Sequence, residues 1–179
     1  MGTVLAILLF LLAADPVDVP PDPGLYYLNP GGLARIEGRT VSLDRKGSRL
    51  TSSATLGIKG DRKVNAQILG EHAEQKVVSA PVFYYRAPAA KETLGGVGDL
   101  VLVKLKTRKR RREFEISREE DWKSSAGISL KSQVEFYKKQ VDSAVYKLVP
   151  AESLEPGEYG FYLFRGYDLP GLIYDFSVE

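Results

Sequence analysis

The sequence predicts an all-β, mostly antiparallel domain, folded as a β-sandwich with at most one or two short helices. Its apolar runs are short and are cut by turn residues roughly every 8–15 positions, which favours a chain of consecutive strands. Inside those runs apolar and polar residues alternate with a period of two, as half-buried strands do. The chain has 179 residues, no Cys and 44% hydrophobic residues. It therefore makes one domain held by its core alone, and a chain of this size buries about 70% of its unfolded surface.

Residues 1–14 read as a signal peptide. Val4–Ala14 holds no charged or polar side chain and is too short to span a ~30 Å hydrocarbon core as a helix. Ala13 and Ala14 stand where a cleavage site belongs. Two features depart from that pattern: no Lys or Arg precedes the run, and Leu12 is larger than the usual residue near the cut. Residues 15–23, with four prolines, read as an extended Pro-rich linker. Residues 24–179 then form the single β-rich domain. A leader with no cysteines behind it points to an exported bacterial protein, whether periplasmic, held in the cell envelope or secreted, with no integral span once the leader is removed.

Gly24–Leu28 is the first strand, turned at Asn29–Gly32 into the alternating run Leu33–Glu37. Gly38-Arg39 is expected to turn the chain into Thr40–Leu43. Val64, Ala66 and Ile68 alternate against Asn65, Gln67 and Leu69, closed by Gly70. Pro81–Arg86 is dense in aromatic and β-branched residues. Gly95–Gly98 reads as a turn, because a phosphate loop would need a following Lys-Ser/Thr and a helix. Asp99–Lys106 and Arg112–Ile116 read as a hairpin, Phe114 and Ile116 alternating against Glu113 and Glu115. Leu130–Leu148 carries both a helical stripe and a short alternation; two short strands are preferred.

Near the C-terminus, Leu154-Glu-Pro-Gly-Glu-Tyr159 leads into the alternating run Gly160–Phe164. This resembles the tyrosine corner of immunoglobulin-like sandwiches, in which the hydroxyl bonds backward to the backbone. The resemblance makes Tyr159 a structural pin and implies a C-terminal hairpin, Arg165–Leu172 turning the chain into the strand Ile173–Val178. Gly24–Tyr27, Pro81–Tyr85, Leu100–Glu113, Pro156–Tyr159 and Tyr174–Phe176 together resemble a loose group of uncharacterised exported bacterial β-rich proteins. That resemblance implies a fold and carries no activity with it.

Composition excludes zinc–cysteine sites, thiol nucleophiles and any site needing two histidines, since Cys is 0 and His is 1. His72 reads as a solvated loop residue, and no Gly-x-Ser-x-Gly elbow is present for a serine nucleophile. No catalytic residue, cofactor site or metal site is assigned, and the chain is not read as an enzyme. The most conspicuous feature is Lys104–Arg112, in which Lys104, Lys106, Arg108, Lys109, Arg110, Arg111 and Arg112 are all cations. The formal net charge of the whole chain is +2, so the rest of it is net acidic. Such a run can take up a polyanion by releasing its counterions, or simply be a solvated hairpin tip. The aromatic runs Tyr26-Tyr27, Phe83–Tyr85 and Phe161–Phe164 would serve recognition only if they faced outward; coverage on both faces is the simpler expectation. The reading is an exported binding or structural module of the cell envelope, its partner an envelope polyanion or a protein. A polyanion-binding protein acting through the basic hairpin is the alternative, and a hydrolase comes last.

Overall fold

Tyr26 and Tyr27 point to opposite faces of the first strand, and both faces are covered. A computed structural model describes residues 17–46, 63–88, 99–116, 128–164 and 171–179. The apolar run expected to be a leader, Gly95–Gly98 and the Arg165–Pro170 part of the last expected turn lie outside the described residues. The described residues form no α-helix; a turn of 3-10 helix at Leu130–Ser132 interrupts an all-β, mostly antiparallel chain.

Strands β1 (Gly24–Asn29), β2 (Gly32–Ile36), β7 (Phe83–Arg86), β11 (Phe136–Asp142) and β12 (Val145–Pro150) make a five-stranded sheet in the order β11-β12-β7-β1-β2. A second set comprises β3 (Gly38–Thr40), β4 (Ser42–Lys46), β5 (Lys63–Leu69), β8 (Leu100–Arg108), β9 (Arg111–Ile116), β13 (Gly157–Leu163) and β14 (Leu172–Val178). These run in the order β3-β14-β13-β8-β9-β5-β4. Two short strands join that path: Gln133–Val134 (β10) against β8, and Lys76–Val77 (β6) in parallel against β14.

The single strand expected at Thr40–Leu43 is instead two. The chain leaves β3 and enters β4 through Val41 alone, yet these strands stand at opposite ends of the seven-strand path. One residue cannot bridge separated edges, so the path curls until its ends meet, and the sheet becomes barrel-like. Gly38, expected in a turn, is the first residue of β3 because the strand must approach β14 closely. A Cβ there would lie 2.8 Å from Leu172 Cδ2 and 3.0 Å from Tyr174 Cε1.

Two cores follow from the alternation. On one face of β8, β13 and β14, Leu100, Leu102, Tyr159, Phe161, Leu163, Tyr174 and Phe176 meet Leu25, Tyr27, Phe83, Tyr85 and Leu148 of the five-stranded sheet. Phe83 stands edge-on to Phe161 with ring centroids 5.2 Å apart and lies 4.9 Å from Phe176, so removing any one ring would cost about 3–5 kcal/mol. On the opposite face, Val101, Val103, Leu105, Tyr162 and Ile173 pack inside the curl against Ala66, Ile68 and Phe114. This interior is tight: a Cβ on Gly160 would sit 2.7 Å from Ile173 Cδ1.

A third cluster covers the outer face of the five-stranded sheet, joining Tyr26, Val82, Tyr84, Val145 and Val149 to Val19, with Val17 packed beside it. The described part of the Pro-rich segment thus lies against the sheet. Arg86 fastens it, donating from Nε to Pro20 O at 2.6 Å and from Nη2 to Val19 O at 2.8 Å.

Leu130–Leu148 resolves toward strands, β10, β11 and most of β12, after the 3-10 turn. The backward bond expected of Tyr159 is present, its hydroxyl donating to Glu155 O at 3.0 Å. It is a local bond at the entry to β13, and the strand orders above define the sandwich without it.

Candidate functional site

Strands β8 and β9 form the expected hairpin, with Arg108 paired to Arg111 and Lys109-Arg110 as the turn. Arg110 has φ 66°, the left-handed region in which a side chain costs about 1–2 kcal/mol and Gly or Asn is favoured. Its conformation is held from outside: its N–H donates to Glu71 Oε1 at 2.9 Å, and its carbonyl accepts from Gly70 N at 3.0 Å. The end of β5 therefore lies alongside the turn.

The hairpin does not present its seven cations together. Alternation along β9 sends Arg112 to the face of Phe114, inside the curl, where its side chain is 0% exposed. Arg112 Nη1 donates to Asp175 Oδ2 at 2.6 Å and to Glu158 Oε2 at 3.2 Å, and Nε donates to Gly70 O at 3.1 Å. Arg112 accordingly cannot contact a ligand; it is the bolt joining the hairpin to β13 and β14. Removing it would leave two buried carboxylates short of their cation, a loss of about 3–5 kcal/mol.

Around that bolt the polar groups are dense. Glu158 Oε1 lies 3.0 Å from His72 Nδ1 and accepts from Ser177 Oγ at 3.0 Å, while Oε2 accepts from Ala73 N at 2.9 Å and from Arg112. Four partners take up the carboxylate's lone pairs, so Glu158 has none to offer a substrate and acts as an anchor. Arg39 Nε stands 3.7 Å from Asp175 Oδ1 and pairs outward with Glu74. The sequence reading missed this cluster. Its signal was acids inside apolar strands: Asp175 between Tyr174 and Phe176, and Glu158 directly before Tyr159. His72 is 77% exposed, as a loop histidine should be, but is tied to Glu158. Among the described residues no group of three or more His, Asp and Glu could hold a metal ion.

The other cations differ in freedom. Lys104 Nζ donates to Glu155 Oε2 at 2.8 Å and lies 5.7 Å from the Tyr159 ring centroid. That bond holds the Lys104 ammonium above the ordinary lysine value and Glu155 below the ordinary carboxylate value. Arg108 Nε donates to Glu113 Oε1 at 3.0 Å, and Arg111 Nε stands 3.4 Å from Oε2 without hydrogen-bond alignment. Both arginines stay partly exposed above Glu113, while Lys106, Lys109 and Arg110 are exposed. The aromatic runs do not join them: Tyr26, Tyr27, Phe83, Tyr84, Tyr85, Phe161 and Tyr162 are all buried, and Phe164 is half-buried.

A separate groove of about 340 Å³ lies where β10 and β11 meet the start of β8, lined by Leu100, Gln133, Val134, Phe136, Tyr137 and Lys138 among others. It shares no residue with the hairpin tip. No helix among the described residues is long and apolar enough to cross a membrane. No protein-family model, curated protein or solved structure matches the chain.

Proposed function

We propose that the protein is an exported bacterial envelope module that binds polyanions through the tip of the β8–β9 hairpin. Export rests on the composition of the leader, and the ligand class rests on charge. The observation that carries the reading is Arg110, a long cation occupying a left-handed turn position where glycine would be less strained. Lys106, Lys109 and Arg110 reach solvent from a hairpin whose base is bolted by Arg112, so little ordering would be lost on binding. Arg108 and Arg111 add positive charge, reduced by their shared Glu113.

A heparin column developed with a salt gradient tests this. The purified chain should be retained beyond physiological ionic strength, about 0.15 M. Replacing Lys106, Lys109 and Arg110 by Ser should abolish retention without moving the melting temperature, since all three are exposed. Elution of the parent chain at or below physiological salt would overturn the reading. The triple variant excludes Arg112, whose loss would unfold the hairpin's base and confuse the result.

A further inference from the structure

The tip carries one large apolar side chain among its cations. Leu69, the last residue of β5, is 83% exposed. Across the ladder it faces Arg111, which in turn faces Arg108, so the three form one row over three strands. Residues paired directly across neighbouring strands share a face, and here that face is the outward one, opposite Arg112 and Phe114. The backbone of Gly70 is bonded to Arg110, which fixes the leucine beside the turn. Arg108 and Arg111 remain 57% and 35% exposed despite facing Glu113.

A soluble acidic glycan would engage the arginines and leave Leu69 in water. An anionic bilayer surface offers both chemistries at the right depths: phosphates at the interface, and acyl carbon a few ångströms beneath. Guanidinium forks suit phosphate, and arginine stems lie along apolar surface while their heads stay wet. We propose that the Leu69–Arg111–Arg108 row docks on an anionic phospholipid membrane, Leu69 entering the acyl boundary while the arginines take lipid phosphates. This rests on the polyanion reading above and narrows it to one ligand.

Co-sedimentation of the full chain with vesicles tests it. Mixed phosphatidylglycerol–phosphatidylcholine vesicles should bind the chain and pure phosphatidylcholine vesicles should not. Each cation near the surface contributes about a five-fold gain. Leu69→Ser should weaken binding to the mixed vesicles on the order of ten-fold, the effect of withdrawing one leucine from an apolar medium. Leu69→Phe should restore it. Neither variant should change the melting temperature or heparin retention, because Leu69 is outside every core. Equal vesicle binding by Leu69→Ser and the parent overturns the proposal. Retention on heparin without binding to anionic vesicles also overturns it and leaves the polyanion reading standing; failure on both removes the two together.

Discussion

A single backbone angle sets the tension at the hairpin tip. Arg110 is held at φ 66° by Glu71 and Gly70, and relieving that angle is simple. Arg110→Gly should raise stability by about 0.5–1 kcal/mol, the left-handed penalty less the extra freedom glycine brings to the unfolded chain. The same substitution should lower the salt concentration at which heparin releases the protein. Urea midpoints and column elution check both; a less stable variant would show that Arg110 is not strained, and an equally retained one that it is not a contact. Arg112, two residues on, was legible in a way the charge run concealed. Phe114 and Ile116 mark the inward parity of β9, and one further step back along that parity lands on Arg112. Seven cations within Lys104–Arg112 suggest a shared surface only while the period of two is ignored. Its partners were less legible, because nothing local says which buried acid will meet which buried base.

Elements were easier to read than their neighbours. The alternation of β5, β8 and β9 and the turn residues around β1 and β2 place those strands to within a few residues, since one-sided burial imposes the period directly. The Pro-rich segment shows the limit of composition. Prolines mark a segment that cannot continue a helix; Val17 and Val19, two residues apart, are the apolar pair that lets it pack on Tyr26 and Tyr84. Arg86 is the fastening. Arg86→Met keeps the apolar stem and deletes both bonds to the Val19 and Pro20 carbonyls, which should cost about 3 kcal/mol, as bonds from a charged donor do. The same variant should expose the third cluster, raising the uptake of a hydrophobic dye and the rate at which protease clips ahead of Gly24. A variant as stable and as resistant as the parent would mean that the segment rests on the sheet without holding it.

At the scale of the molecule, closure is what no stretch of sequence displays. Four successive apolar residues, Leu100–Val103, announce that β8 is covered on both faces. They do not say that one cover is another sheet and the other is the same sheet curled back through Val41. That double cover has a consequence in alkali. Burial pushes the Tyr85 phenol far above its ordinary value, with Tyr174 and Asp99 adding to the effect, and burial alone raises Tyr162. Tyr85 lies in the core between the sheets and Tyr162 inside the curl, so both halves of the structure hold their tyrosine neutral. An acid whose folded pKa lies above its unfolded value binds its proton more tightly when folded. Its contribution is complete below about pH 10, where the unfolded phenol begins to ionise, and is lost as pH rises through the folded value. Urea denaturation from about pH 8 upward should therefore show a plateau and then a decline beginning near pH 10. Phenolate absorbance should rise in two stages, the exposed tyrosines first and the buried ones only as the chain unfolds. Tyr85→Phe and Tyr162→Phe should each make the decline shallower. If all the phenols ionised together near their ordinary value while the chain stayed folded, the curl would be open to water and the closure through Val41 would be wrong.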